Sequence, residues 1–473
     1  MKIMNNKTSI KFYSGLDSIG GVIMEVKYNN YRAFFEAGRA YNPAFDIFDG
    51  SVNIRNNNIS DYLWINEIPL IDGIYRKIDI EDKFPNLIPV EDYVIDDQAF
   101  FISHMHLDHM AMMGLISPDV KVYLSKPAQI LEKALEDVGM GVESIRCFKY
   151  EDMNDETYIG DIFVKRFILN DDSYQDYSFY IETPDLKIHY TGDVFVYGKY
   201  EENILKEIEY LNNKDIDILV CEGTRFASNM DLSKKITPSF KPKDNLITKQ
   251  ELDDSIFNTI NSFDGLVVFN YYEREMSDVM LFEDIANKTN RNIVYEPESA
   301  HLINKFFNKK VNIILPDTYK NKPDYLDDII NYNILISKQD IINNPNKYLL
   351  QNSYSNILEL LDYRNINSLY LHHSGTPLGI FDPKFKNMLN IVNKANMKYV
   401  ETYETDKGYF SPHAENYQIL AYIDMIKTKL VIPCHTLNRD AMIKNINKDS
   451  YYVEKDVEYI FNQETNTLEK INE

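Results

Sequence analysis

Apolar runs of four to eight residues, separated by Gly, Asn, Asp and Pro, pattern the first half of the chain and predict strands rather than long helices. Residues 9–27 alternate apolar and polar positions around Ser18-Ile-Gly-Gly21. Residues 31–35 follow and end in Glu36-Ala-Gly38, so the stretch predicts an antiparallel meander. Residues 42–92 lose this periodicity, carry Asn and Pro punctuation and the single tryptophan, Trp64, and read as an insertion or lid, with a plain surface loop the competing reading. The apolar run 99–102 and residues 121–124 predict strands, and 126–138 has helical spacing with Pro127 in its first turn. Residues 158–169, 177–182, 186–190 and 216–221 predict four further strands.

From residue 226 to about 405 the pattern changes. Helical stretches at 250–263 and 276–287 alternate with apolar runs at 265–270, 291–295 and 365–371, which predicts βαβ units, a parallel sheet and a second domain. The last of these runs leads into His372-His-Ser-Gly-Thr-Pro377. Residues 415–426 then predict a helix, 429–433 a strand ending at Cys434-His435, and the tail closing strands. The fold class is α/β, and 473 residues suit two or three domains.

Composition narrows this picture. At 44% hydrophobic residues, with 13% aromatic, the chain can bury sizeable cores. Residues 1–7 lack the apolar core of a signal peptide, and no run approaches the roughly 18–20 apolar residues of a membrane span, which predicts a soluble cytoplasmic protein. Cys147, Cys221 and Cys434 lie far apart and form no Cys-x-x-Cys pair, so neither a disulfide framework nor a thiolate zinc knuckle is indicated. The formal net charge of −23 argues against nonspecific adhesion to nucleic acid or anionic membranes. It leaves open a nucleic-acid substrate in a cleft where bound cations reverse the local field.

The chemistry concentrates where strands stop. The apolar run through Ser103 delivers His104, His106, Asp108 and His109 within six residues, and imidazole and carboxylate are ligands of zinc or manganese. The strand at 186–190 runs into Thr191-Gly-Asp193, and that at 216–221 stops at Glu222. Strand ends bearing such groups line one sheet edge, where sites of layered α/β folds are built.

The motif His-x-His-x-Asp-His resembles the signature of the metallo-β-lactamase superfamily, and the ordered set along the chain resembles its β-CASP branch of nucleases. In that resemblance Asp193 matches the metal-bridging carboxylate, Glu222 the acidic motif, His413 in Ser411-Pro-His-Ala414 the second motif, and His435 the third. It implies an αββα sandwich from residues 1–225 and 406–473, interrupted by a β-CASP α/β domain at 226–405. It also implies a metal centre of His104, His106, Asp108, His109, Asp193 and His435 holding two divalent ions, zinc or alternatively manganese. Catalysis falls to Asp108, Glu222 and His413. Two positions depart from the branch. The loop histidine of the family falls at Asp171, with Asp172 the alternative register; Asp171 is read as a substitute metal ligand whose oxygen donor shifts preference from zinc toward manganese, with a weakened or empty first metal site the alternative. Pro412 stands where the branch commonly has glycine.

Arg225 and Arg274 are candidate phosphate contacts because guanidinium binds phosphate bidentately. Ser374, Gly375 and Thr376 are candidates for a phosphate-holding turn, with a plain tight turn the competing reading. His189 and His301 read as structural. The expected function is a metal-dependent phosphodiesterase, a nuclease on single-stranded RNA or DNA, with nucleic acid as partner, no membrane, and a homodimer left open. The alternatives are a hydrolase of a small ester or phosphoester and a catalytically weakened binding or scaffold protein.

Overall fold

The structure is a computed structural model. It describes residues 7–44, 47, 52–55, 58–170, 176–196, 201–231, 233, 235–243, 245–320 and 325–471. Two sheets pack face to face. The first has the strand order Thr467–Lys470, Glu458–Asn462, Ser9–Ser14, Ile23–Tyr28, Tyr31–Phe35, Asp97–Phe101, Lys121–Leu124 and Glu151–Asp152. The second runs Thr428–Cys434, Ile216–Glu222, Lys187–Tyr190, Asp176–Glu182, Ile162–Asn170 and Glu156–Ile159.

The unbroken apolar run before the histidine motif follows from its place in this sandwich. Phe100 pairs in register with Phe34 and Phe101 with Phe35. Because successive side chains alternate faces, Phe34 and Phe100 stack at 4.3 Å in the core under the helices, while Phe35 and Phe101 stack at 5.5 Å in the core between the sheets. A strand buried on both faces needs apolar residues at every position.

Two expectations are corrected here. Residues 42–92 are no lid where described: they form the short helices Ile59–Trp64 and Lys77–Ile80 and bury Ile59, Tyr62, Leu63, Ile68, Ile71, Ile74 and Tyr75 in the main core. Helices of one or two turns are too brief to show a period. The single strand expected over 158–169 is a hairpin, Glu156–Ile159 paired with Ile162–Asn170, turned at Gly160 with φ +55°.

The strand Ile216–Glu222 pairs directly, and in parallel, with Thr428–Cys434. The chain between them is thus topologically an insertion. It builds a third sheet of seven parallel strands, in the order Ile334–Leu335, Asn312–Ile313, Asn292–Tyr295, Tyr348–Gln351, Leu266–Phe269, Ser368–His372 and Lys398–Glu401. Helix Lys126–Asp137 of the sandwich packs on helix Pro297–Phe307 of this segment, with His301 Nε2 3.2 Å from Asp137. Among the described residues no helix is long and apolar enough to cross a membrane.

Candidate metal centre

Three parallel neighbours in the second sheet, Lys187–Tyr190, Ile216–Glu222 and Thr428–Cys434, finish at the same edge. They carry Asp193, Glu222 and His435 there, and the histidine loop arrives from the first sheet. After Phe101 the chain turns with the Ser103 N–H donating to Glu36 (3.1 Å), and His106 leads into the short helix Leu107–Met110. That helix is seated against glycines. The Gly21 N–H donates to the Asp108 carbonyl at 2.7 Å. A Cβ on Gly38 would lie 1.7 Å from that carbonyl oxygen, and one on Gly20 would lie 2.1 Å from the Asp108 Cβ.

Of the seven expected ligands, the six that are described converge. Asp193 lies centrally, with Oδ1 3.2 Å from His109 Nε2 and 3.8 Å from His435 Nε2, and Oδ2 3.6 Å from His104 Nε2. Asp108 Oδ2 is 3.3 Å from His435 Nε2 and 3.7 Å from His109 Nε2. His104, His106 and Asp193 can offer donor atoms to one point, as can Asp108, His109 and His435, so Asp193 stands between two donor groups. Each imidazole is oriented from behind, the arrangement that ligating histidines require. His104 Nδ1 meets the Ser103 hydroxyl (2.9 Å), His109 Nδ1 meets Glu36 (3.2 Å), and His435 Nδ1 meets the Thr224 hydroxyl (2.8 Å). The inward atoms His104 Nε2, His109 Nε2 and Asp193 Oδ1 are buried without a hydrogen-bond partner. Buried polar atoms are rarely left so, and imidazole lone pairs aimed with carboxylates at one volume fit a divalent cation.

The electrostatics agree. Burial and the neighbouring imidazoles of His109 and His106 hold His104 well below the usual histidine range, so it is neutral and able to ligate. Burial works against charge on Asp193, yet His109, His413 and His435 keep it well below the usual carboxylate range. Asp108 is likewise lowered against burial, by His109 and His435.

His413 stands beside the donor groups, Nδ1 3.7 Å from Asp193 and 3.5 Å from Glu222. Burial opposes its charged form, but the carboxylates of Asp193 and Glu222 push it up to about 9. Glu222 is itself clamped, accepting from the Val194 N–H (2.6 Å), the Thr224 N–H (3.1 Å) and the Thr224 hydroxyl (2.6 Å).

The expected phosphate contacts fare differently. Arg274 is buried in an ion pair with Glu132 (3.1 Å) and donates to the Met140 carbonyl, so its guanidinium does not face the centre. Arg225 is half-exposed and pairs with Glu415 at 2.9 Å. The Ser374 hydroxyl donates to Asp278 and accepts the Tyr272 N–H, Gly375 lies against Asn270, and Thr376 is exposed. The first two are therefore committed to the loop and helix that follow Leu266–Phe269. His189 is buried between Glu207 and Tyr422, a core contact. Asp171 and Asp172 lie outside the described residues.

Three carboxylates at the centre, Glu36, Glu275 and Asp176, are missed by the local pattern, which marks Glu36 alone, and faintly. Glu36 holds a left-handed backbone, φ +66°, and is fully buried between Ser103 and His109. Its place at the end of a strand, beside Gly38, was the one available hint. Glu275 reaches His106 from the intervening segment. Asp176 opens the strand Asp176–Glu182, the antiparallel neighbour of Lys187–Tyr190, and stands near enough to Glu275, His106 and Asp193 to feel their charge. Burial, then Glu275, push Asp176 up to about 7, with His106 opposing.

No family model matches the chain, and no curated protein sequence does. Among solved structures it is similar to the metallo-beta-lactamase fold protein YhfI from Bacillus subtilis, at 13% identity and TM-score 0.28 over 48% of this chain and 75% of that one, too slight a likeness to carry weight. It is also similar to a protein of unknown function from Enterococcus faecalis V583, at 23% identity and TM-score 0.73, over 96% of this chain and 100% of that one. The chain therefore shares its overall fold with the Enterococcus protein.

Proposed function

We infer that the chain is a metal-dependent hydrolase of the metallo-β-lactamase type, in its β-CASP branch, cleaving phosphodiester bonds of single-stranded RNA or DNA. The observation that supports this most is the meeting of His104, His106, Asp108, His109, Asp193 and His435 around buried, unpartnered donor atoms, with His413 and Glu222 alongside. When bound, two divalent ions, zinc or manganese, supply Lewis acidity toward a water and a phosphate. Asp193 holds the position between the two donor groups. Asp108, facing His435 and His109, orients the attacking water and accepts its proton. His413, held by Glu222, donates a proton to the leaving oxygen.

The test is cleavage of labelled single-stranded RNA and DNA by the purified protein with Mn²⁺ or Zn²⁺. Asp108→Ala is expected to lose about 10²-fold or more in rate. Absence of cleavage by the wild type with every metal, or undiminished cleavage by the variant, overturns the reading. The net charge of −23 favours a second reading, hydrolysis of a small ester or phosphoester. Turnover of a small phosphodiester with single strands left intact would select it.

A further inference from the structure

The ligand imidazoles His104, His109 and His435 are each oriented by a group of the sandwich itself, but His106 is not. Its Nε2 lies 2.5 Å from Oε1 of Glu275, a residue of the intervening segment that precedes helix Met276–Lys288. The Tyr272 ring packs beside the His106 ring, with centroids 5.6 Å apart.

The loop carrying Tyr272 and Glu275 is fixed from two directions. On one side Arg274 enters the sandwich and pairs with buried Glu132 at 3.1 Å. On the other, the Tyr272 N–H donates to the Ser374 hydroxyl at 2.9 Å, and that hydroxyl donates to Asp278. Asp278 also meets His373 Nε2 at 3.2 Å, and His373 Nδ1 meets the Thr402 hydroxyl at 2.7 Å. The His373-Ser374 turn thus braces the loop that delivers Glu275. A carboxylate held this firmly against one ring nitrogen decides which nitrogen carries the proton.

We propose that Glu275 is a positioning residue of the metal centre: it accepts the Nε2–H of His106, leaves the Nδ1 lone pair free for an ion, and so makes metal affinity depend on the intervening segment. This rests on the metal-centre reading given above. The carboxylate acts through His106, and its removal changes how tightly an ion is held whatever reaction the centre performs.

The full-length protein is titrated with Mn²⁺ and with Zn²⁺ against a competing chromophoric chelator, as wild type, Glu275→Gln, Glu275→Ala and His301→Ala. The thermal midpoint of each is measured with chelator in excess. Glu275→Ala is expected to weaken binding of one ion by about 10–100-fold and Glu275→Gln by less, since its carbonyl still accepts. Their metal-free midpoints are expected to match the wild type. His301→Ala breaks a different contact between the segment and the sandwich, with Asp137, and is expected to bind metal as the wild type does.

Unchanged affinity in Glu275→Ala overturns the proposal. Equal weakening in His301→Ala overturns it as well, because general docking of the segment rather than this carboxylate would then set the affinity. A wild type that binds neither ion overturns the metal reading itself, and this proposal with it.

Discussion

At Gly38 a single hydrogen stands where any side chain would meet the Asp108 carbonyl, and the turn carrying Asp108 and His109 rests directly on that contact. Gly38→Ala is therefore expected to cost about 1–3 kcal/mol through overpacking and to lower metal binding with it, read from a urea midpoint and from metal content. Thr224 acts at a distance of one hydroxyl. It donates to Glu222 and accepts from His435 Nδ1, which leaves His435 Nε2 facing Asp108. Thr224→Val keeps the shape and removes both bonds. Weakening of metal binding by about 10–100-fold is expected, with a stability loss of about 1–3 kcal/mol from the buried unpaired nitrogen. A calorimetric titration that matches the wild type would refute this.

At the scale of elements, the strand Asp97–Phe101 belongs to two cores at once, and its apolar run is legible in the sequence for that reason. Phe100→Ala opens a cavity beside Phe34 and is expected to cost about 3–5 kcal/mol, measured by chemical denaturation. The contact between helix Lys126–Asp137 and the loop before Met276–Lys288 rests on the buried pair Arg274–Glu132. Arg274→Ala leaves Glu132 charged and buried, a loss of about 3–5 kcal/mol, whereas replacing both partners by apolar residues of similar volume is expected to restore most of the stability. A double variant no more stable than the single one would contradict this account. Arg274 reads from the sequence as a phosphate contact, because an arginine beside a strand end carries no local mark of the glutamate, more than a hundred positions upstream, that neutralises it.

For the whole molecule, the ordering of the three large sheets decides what meets what. Direct pairing of Ile216–Glu222 with Thr428–Cys434 closes the sandwich across some two hundred intervening residues and brings His435 beside Glu222 and Asp193. A ligand bound only by the folded state stabilises it in proportion to its occupancy. Metal at about 100 times its dissociation constant is expected to add roughly 2.7 kcal/mol, seen as a thermal midpoint that rises with Mn²⁺ or Zn²⁺ and falls back with chelator. A midpoint indifferent to both would show that the donor groups bind no ion in the native state.

The parts whose chemistry is local are legible in the chain alone. The histidine motif, the carboxylate after Thr191-Gly, the strand ends at Glu222 and His435, and the change to alternating helix and strand after residue 226 are all written in short-range pattern. Which groups stand behind them follows from how the folded sheets and loops meet. Glu36 reaches His109 through a left-handed turn, Asp176 comes within reach of the charges of Glu275 and His106 at the head of its strand, and Glu275 reaches His106 from the loop before helix Met276–Lys288. Periodicity reports which face of an element is buried. The partner that a buried polar atom finds is set by register and docking, which depend on the whole chain at once.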